Sequence, residues 1–412
     1  MNLVYGVFGR ACLFGASLFF AGQLHADEPE LLMRSGATSA FQIPVGSSWS
    51  SATPSLNDQR QVALHINAVA PSQHAGIWKG SPEGGGIVAT APDSNTLYSD
   101  TGMNDQGNIV WRRAESSTNG VMKYDADSDT FALLTNAPLG ANSWTSLQIN
   151  DADRVAYRAG FSGGNAWVSF SAGSASIHLA ETGIDSNSDW AFLFSPALNI
   201  HGQLAGKAAF ENFNQNRIIL TDASGLIEIL VDDNDLDPAS PFSNFDNSIG
   251  FNDVGQVAFI ASLVGGGRAL YLADSDGWVE LARQGEGELG DFEFFRPVLN
   301  NHGVVAFRAF NAEGQRAIWR ANIDGLTAVA MAGDIVETDL GPARLESPTT
   351  VGGPNFGGSP AINNLGDIAF VSLLTDPDNP GISYGRGVFL VAGSELVSDD
   401  LFQDRFEANE TP

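Results

Sequence analysis

Eight residues after each of seven similarly placed asparagines stand His65, Arg112, Arg158, Lys207, Ile260, Arg308 and Val371. His, Lys and Arg together make up 26 of the 412 residues, so fewer than one is expected among seven positions, yet five are found. A partial ring of cations at one level of a repeating structure suits an anionic ligand such as a uronate or a sulfated glycan, held through charge-assisted hydrogen bonds. As a ligand site the column Arg112, Arg158, Lys207, Arg308 and His65 is extended by Arg344, Tyr384 and Arg386, which come from the two longest irregular stretches. As a catalytic site, His65 and Tyr157 supply an acid and a base and Arg112 and Arg158 neutralise a carboxylate, the residue types that β-elimination from an acidic polysaccharide needs. The structural alternative pairs each cation with an Asp or Glu of the next unit.

The asparagines that set this spacing open an eight-residue phrase, Asn-x-x-Gly-x-Val-Ala-Phe, starting at 57, 104, 150, 199, 252, 300 and 363. The steps are 47, 46, 49, 53, 48 and 63 residues, a period that denotes an array of similar units. Within the copy spanning residues 291–334, four β-rich runs are separated by Asn/Gly turn clusters, so each unit reads as a four-stranded antiparallel meander. The Asn side chain can cap the turn, and the Gly three places on can adopt the left-handed conformation. Arg60 and Asp153 replace that Gly and are expected at positive φ.

The residue before each Asn is apolar, as is the one five places after it, and Ala usually follows. Strands apolar on both faces need cover on both. Seven such sheets stacked about an axis supply it, so the expected fold is all-β, a seven-bladed β-propeller of four-stranded blades, with an open solenoid as the rival. The blades are expected to start near 50, 96, 140, 188, 242, 288 and 354. Residues 30–36 resemble a fourth strand with no first three before it and are expected to close the ring against residues 387–392. Two long loops, 333–360 and 373–387, are expected side by side on the face opposite the Asn turns, where a rigid scaffold presents binding residues.

The seven phrases resemble those of the NxxGxxAF tandem-repeat proteins, a group of exported bacterial proteins, over nearly the whole chain after residue 26. The resemblance implies the repeat fold and says little about activity. Residues 399–407 resemble the Phe-x-Asp-Gly-Phe-Glu endings of many exported Gram-negative proteins, with Arg405 in place of the Gly.

Composition narrows the partners. Arg10, an apolar run over residues 11–22 and Ala26 form a cleavable signal segment, so the expected domains are a signal peptide 1–26, a propeller 27–398 and an acidic tail 399–412. The chain is expected to be exported to the periplasm, the cell surface or the medium, with no membrane insertion after cleavage. Cys12, the single cysteine, falls in that segment, which leaves no disulfide or thiolate site in the cleaved chain. With 48 acidic residues against 20 basic ones the net charge is −28, which repels nucleic acid and anionic membranes. A glycan, a protein or a cell-surface component remains as partner for a monomer.

Residues 125–129 align with other Asp-containing turns. Asp232, Asp233, Asp235 and Asp237 have no evident counterpart and are the candidate calcium ligands, calcium being the one cofactor considered. His201 and His302 fall in turns, as does the glycine run at residues 265–267. The reading that best joins these features is a non-catalytic binding propeller. The alternative is a secreted lyase or other glycan-active enzyme.

Overall fold

The computed structural model describes residues 28–36, 43–49, 52–115, 119–136, 138–222, 224–345 and 356–393. The expected signal segment and acidic tail lie outside the described residues. The chain forms a seven-bladed β-propeller of four-stranded antiparallel blades. Blade one shows the pattern: Ser55–Leu56, Val62–Val69, His74–Ser81 and Gly84–Thr90 pair in sequence order from the axis outward. Blade seven holds Phe356–Ile362, Ile368–Thr375 and Ser383–Val391, and its outermost strand is Glu30–Arg34 from the other end of the chain, with Glu30 opposite Leu390 and Arg34 opposite Gly387. This is the expected closure.

Second strands alternate between two seams. Val62, Leu64 and Ile66 pack on Val371, Val388 and Leu390 of blade seven, whereas Ala63 packs with Ile109 and Trp111 of blade two. Blade six repeats this, Val305, Phe307 and Ala309 facing Ala258 and Ile260 of blade five, with Ala306 turned toward blade seven. Each buried large side chain contributes about 1.5–3 kcal/mol, and the small Ala of one blade admits the Phe of the next.

The two long loops are more ordered than their sequences imply. Ile335–Thr338 and Gly341–Leu345 form a hairpin whose second strand continues blade seven, Arg344 opposite Thr375 and Leu345 opposite Leu374. Val336, Ala343 and Leu345 are buried there with Leu374. The second loop shrinks to residues 376–382, because the flanking strands run on to Thr375 and begin again at Ser383. Arg344 donates to the Pro377 carbonyl at 2.8 Å, so the two segments do lie side by side.

Near the axis the blades are held by their asparagines. Asn57 Oδ1 accepts the N–H groups of Gln59 and Gln61, which fixes the turn, while its Nδ2 donates to the Asn104 carbonyl of the next blade at 3.1 Å. The same inter-blade bond runs from Asn104 to Asn150, Asn150 to Asn199, Asn252 to Asn300, Asn300 to Asn363, and Asn363 back to Asn57. Asn199 instead donates to Gln203, and there the next position takes over, Ile200 N–H donating to Asp253 Oδ1 at 2.7 Å. That second belt also links Asp58 to Asp105, Asp105 to Asp151, Asp253 to Asn301, Asn301 to Asn364 and Asn364 to Asp58. All seven seams are thereby bridged. Arg60 (φ 58°) and Asp153 (φ 54°) take the left-handed conformation expected of the missing glycines.

Two outcomes follow from the belts. Asn300→Ala removes the one acceptor of two turn hydrogen bonds and one inter-blade donor and should lower unfolding free energy by about 2–4 kcal/mol in urea titration. Asn199→Ala, which loses no inter-blade donor, should cost about 1 kcal/mol. Burial, then Asp58 and Asp151, push the Asp105 carboxyl up to about 6. A raised folded value means a contribution present below about pH 4 and lost as pH rises through about 6. Asp105→Asn keeps the acceptor oxygen, as Asn301 and Asn364 do in their blades. It should flatten that pH dependence and add about 1 kcal/mol at pH 8, a figure reduced from the full shift because Asp105 is only half-buried.

Candidate functional site

The cation column occupies the inter-blade seams. By the alternation of the second strands, each member points into the seam with the following blade. Arg158 donates Nε to the Leu193 carbonyl of blade four at 2.6 Å and lies 4.7 Å over the Phe192 ring. Lys207 donates to the Phe245 carbonyl of blade five at 2.7 Å and to Asn244 Oδ1 at 2.9 Å; burial brings its ammonium down to about 8. Arg308 is 1% exposed, pairs with Glu293 at 2.8 Å and donates to the Phe356 and Gly358 carbonyls of blade seven. The ties run mainly to main-chain carbonyls, not to the acidic side chains that the structural alternative names. Lys207 and Arg308, both buried, are out of reach of a ligand.

These carbonyls are free for a reason that the sequence hides. The first strands, read as continuous, are interrupted: blade four has Trp190–Leu193 then Ala197–Leu198, blade five Phe242–Phe245 then Gly250–Phe251, and blade six Leu289–Phe292 then Val298–Leu299. Each break drops ladder bonds near the axis, as does the register shift between Gly357 and Ala361 in the unbroken first strand of blade seven, and a buried carbonyl left unpaired is costly. The cations of the preceding blade fill that need.

The four residues of the lyase reading do not converge. Tyr157 faces blade two, packed with Val110, Val121 and Trp144, and shares that seam with Arg112. His65 and Arg158 occupy the seams on either side. Burial holds the His65 imidazole down at about 4, far below the range of an effective general base near neutrality, and pushes the Tyr157 phenol up. A Ser169–His178 contact at 2.8 Å resembles a nucleophile and its base, but Ser169 is 2% exposed, accepts from Arg154, and is sealed between blades.

Arg344, Tyr384 and Arg386 surround the latch. Arg344 also donates to the Gly333 carbonyl, Tyr384 donates to Asp376, and the Arg386 main chain bonds Ser35 in both directions. Beside them Arg34 forks onto Asp339 at 2.7 and 2.8 Å. The candidate calcium ligands diverge: Asp232 pairs with Arg217, the buried Asp233 accepts from Asn216, and Asp235 and Asp237 are exposed in a turn. That turn does have a counterpart, at residues 181–188, where Glu181 accepts from Asn165 and Ser188 repeats the bond that Ser240 makes. Among the described residues no three His, Cys, Asp or Glu side chains group as a metal site.

What the structure does assemble is a cavity of about 690 Å³ on the axis, within the range of about 300–1,000 Å³ usual for small-molecule sites. Four residues before each Asn stands a polar side chain: Thr53, Asp100, Ser146, Ser195, Ser248, Arg296 and Ser359. Six of these seven line the cavity, Ser195 being the exception. Of the residues directly before each Asn, all but Leu198 line it as well: Leu56, Met103, Ile149, Phe251, Leu299 and Ile362. Because the first strands run toward the Asn turns, the shaft is polar toward the loop face and closes on an apolar ring above the Asn belts. Its charged residues are Arg112, Arg296 and Asp100.

Arg112 is thus the one column member that lines the cavity, and its Nε is buried without a partner among the described residues. The first strand of blade three, Ser143–Ile149, shifts register between Thr145 and Gln148, and among the described residues it accepts no bond from the Arg112 guanidinium. Arg296 and the collar were not singled out by the spacing argument. The signal was present in the sequence, since the fourth position before Asn is polar in every copy.

Comparison with known proteins follows the fold. A family model described as a family of unknown function (DUF7453) matches residues 232–381, and no curated protein matches. The β-propeller domain of the Trilobed protease from Pyrococcus furiosus, described as having an open velcro topology, is 13% identical with a TM-score of 0.52, over 84% of this chain and 96% of that one. A prolyl endopeptidase is 10% identical with a TM-score of 0.52 over 87% of this chain, which spans 51% of it. Among the described residues no helix is long and apolar enough to cross a membrane. At these identities the likeness is one of fold alone.

Proposed function

We propose that the chain is an exported, monomeric, non-catalytic propeller that binds a glycan, a protein or a cell-surface component at the loop-face mouth of its axial cavity. One observation carries this reading: the polar collar at the fourth position before each Asn converges on an accessible cavity, while the residues of the catalytic alternative are dispersed over three seams. Export rests on the signal segment at residues 1–26, and monomeric behaviour is supported by a ring latched by its own N-terminal strand. The resemblance to exported tandem-repeat proteins agrees with it.

Affinity electrophoresis through gels containing alginate, pectin or ulvan, with absorbance at about 235 nm followed in parallel, tests both parts. The expected outcome is retardation by at least one polymer without a rise in absorbance, and loss of retardation in Ser248→Trp, which fills the collar. A rise in absorbance abolished by His65→Ala and Tyr157→Phe would replace the binding reading with the lyase.

A further inference from the structure

The chemistry of the axial cavity narrows the ligand beyond the binding role proposed above, on which this step rests. Among the lining residues Arg112 and Arg296 outweigh Asp100, so the local charge is positive in a chain whose net charge is −28. Arg296 donates Nε to the Ile249 carbonyl at 2.9 Å and, among the described residues, forms no ion pair. The surrounding protein lowers its guanidinium to about 10 through desolvation, although the side chain stays partly accessible. Arg112 adds the orphaned Nε. Two underused guanidinium groups on blades two and six are a standing demand for acceptor anions, and the planar fork of Arg favours carboxylate.

The remaining lining residues say what carries the carboxylate. Hydroxyls of Thr53, Ser146, Ser248 and Ser359 ring the shaft, and each can both donate and accept, as a polyol requires. Among the described residues Asp100 accepts from Thr53 alone, through its N–H at 3.4 Å and its hydroxyl, which leaves carboxylate lone pairs to accept from ligand hydroxyls. Phe294, two residues before Arg296, is 83% exposed at the cavity, with the Arg268 guanidinium 4.2 Å from its ring centre. Arg268 is itself buried and paired with Asp246, so it braces the ring, and Phe294 offers a flat apolar surface that suits the apolar face of a sugar ring.

We infer that the axial cavity is a binding site for short saccharides bearing more than one carboxylate, with Arg296 and Arg112 receiving the carboxylates, Phe294 stacking under a ring and the hydroxyl collar bonding its alcohols. Nothing in this assignment requires bond cleavage.

Calorimetric titration of the full chain with trigalacturonate, with its methyl ester and with a neutral tripeptide tests this. The acid should bind and the ester should bind about tenfold more weakly or not at all. Arg296→Ala should weaken the acid about tenfold or more, Arg296→Lys less, and Arg112→Gln by a smaller factor, each with an unchanged unfolding midpoint. Lys123→Ala, a surface change, should leave affinity unaltered. Equal binding of acid and ester, or full affinity in Arg296→Ala, overturns the carboxylate seat. If Ser248→Trp still blocks the ester, the axial binding role survives that result. Tighter binding of the tripeptide, weakened by both Arg296→Ala and Asp100→Asn, overturns the saccharide in favour of a zwitterion. Absence of binding by all three probes overturns the inference, and retention on the polymer gels then decides the broader reading separately.

Discussion

The structure depends on how seven sheets can meet at an axis without collapsing into it. Side chains have little room there: a Cβ on Gly250 would stand 2.9 Å from the Pro297 carbonyl, and one on Gly102 3.0 Å from the Gln148 Cα. Inter-blade contact must therefore be made by short polar groups already tied to the backbone. Asparagine meets that requirement with one amide, its oxygen closing its own turn and its nitrogen reaching the next blade. Each such residue is buried, so its three bonds are made away from competing water and are costly to lose. The second belt repeats the device with Asp and Asn side chains, at a cost visible in Asp105, whose carboxyl is raised by burial and then by Asp58 and Asp151 in the adjacent blades.

The same crowding explains the broken first strands and, through them, the cations. A strand that bends away from the axis loses ladder partners, and the freed carbonyls sit where water is largely excluded. Arg158, Lys207 and Arg268 satisfy them from the preceding blade, and Arg308 does the same for the shifted first strand of blade seven. A buried charge is stable only with such partners, and Arg308 has a carboxylate and two carbonyls. Where a first strand is cut, in blades four, five and six, a cation one blade back supplies the donor, and in blade six it is Arg268 because the column position there is Ile260.

Legibility in the sequence followed the same division. The turn phrase, the closing strand and the positive φ values of Arg60 and Asp153 were readable because side-chain identity itself encodes them: Asn caps, Gly permits, and an orphan Glu-Leu-Leu-Met segment needs a partner. The column was visible as a statistical excess but pointed to a ligand, because its true partners are main-chain carbonyls, which leave no mark in a sequence. The collar was missed because a polar residue between apolar ones reads as ordinary strand alternation; only its recurrence at the fourth place before Asn distinguishes it. The hairpin within residues 333–345 was missed for a related reason, since Gly333, Gly341 and Pro342 look like a loop, while Val336, Ala343 and Leu345 complete a core that no local pattern announces.

A net charge of −28 does not by itself repel an acidic ligand from the axis. Surface charges farther than the Debye length of about 8 Å at physiological ionic strength are largely screened, so most of the acidic exterior does not act at the axis. Within the shaft, protein replaces solvent on most sides, the effective dielectric falls, and a guanidinium a few ångströms away outweighs many distant carboxylates. Asp100 is the local opponent, and its own carboxyl is raised by burial, which makes a bonded hydroxyl or a proton welcome there. The seat thus has opposite sign to the body that carries it. The proposed seat would select by geometry and desolvation and gain little from long-range steering, its rigid side fixed by the Asn belts and its open side ringed by short polar groups.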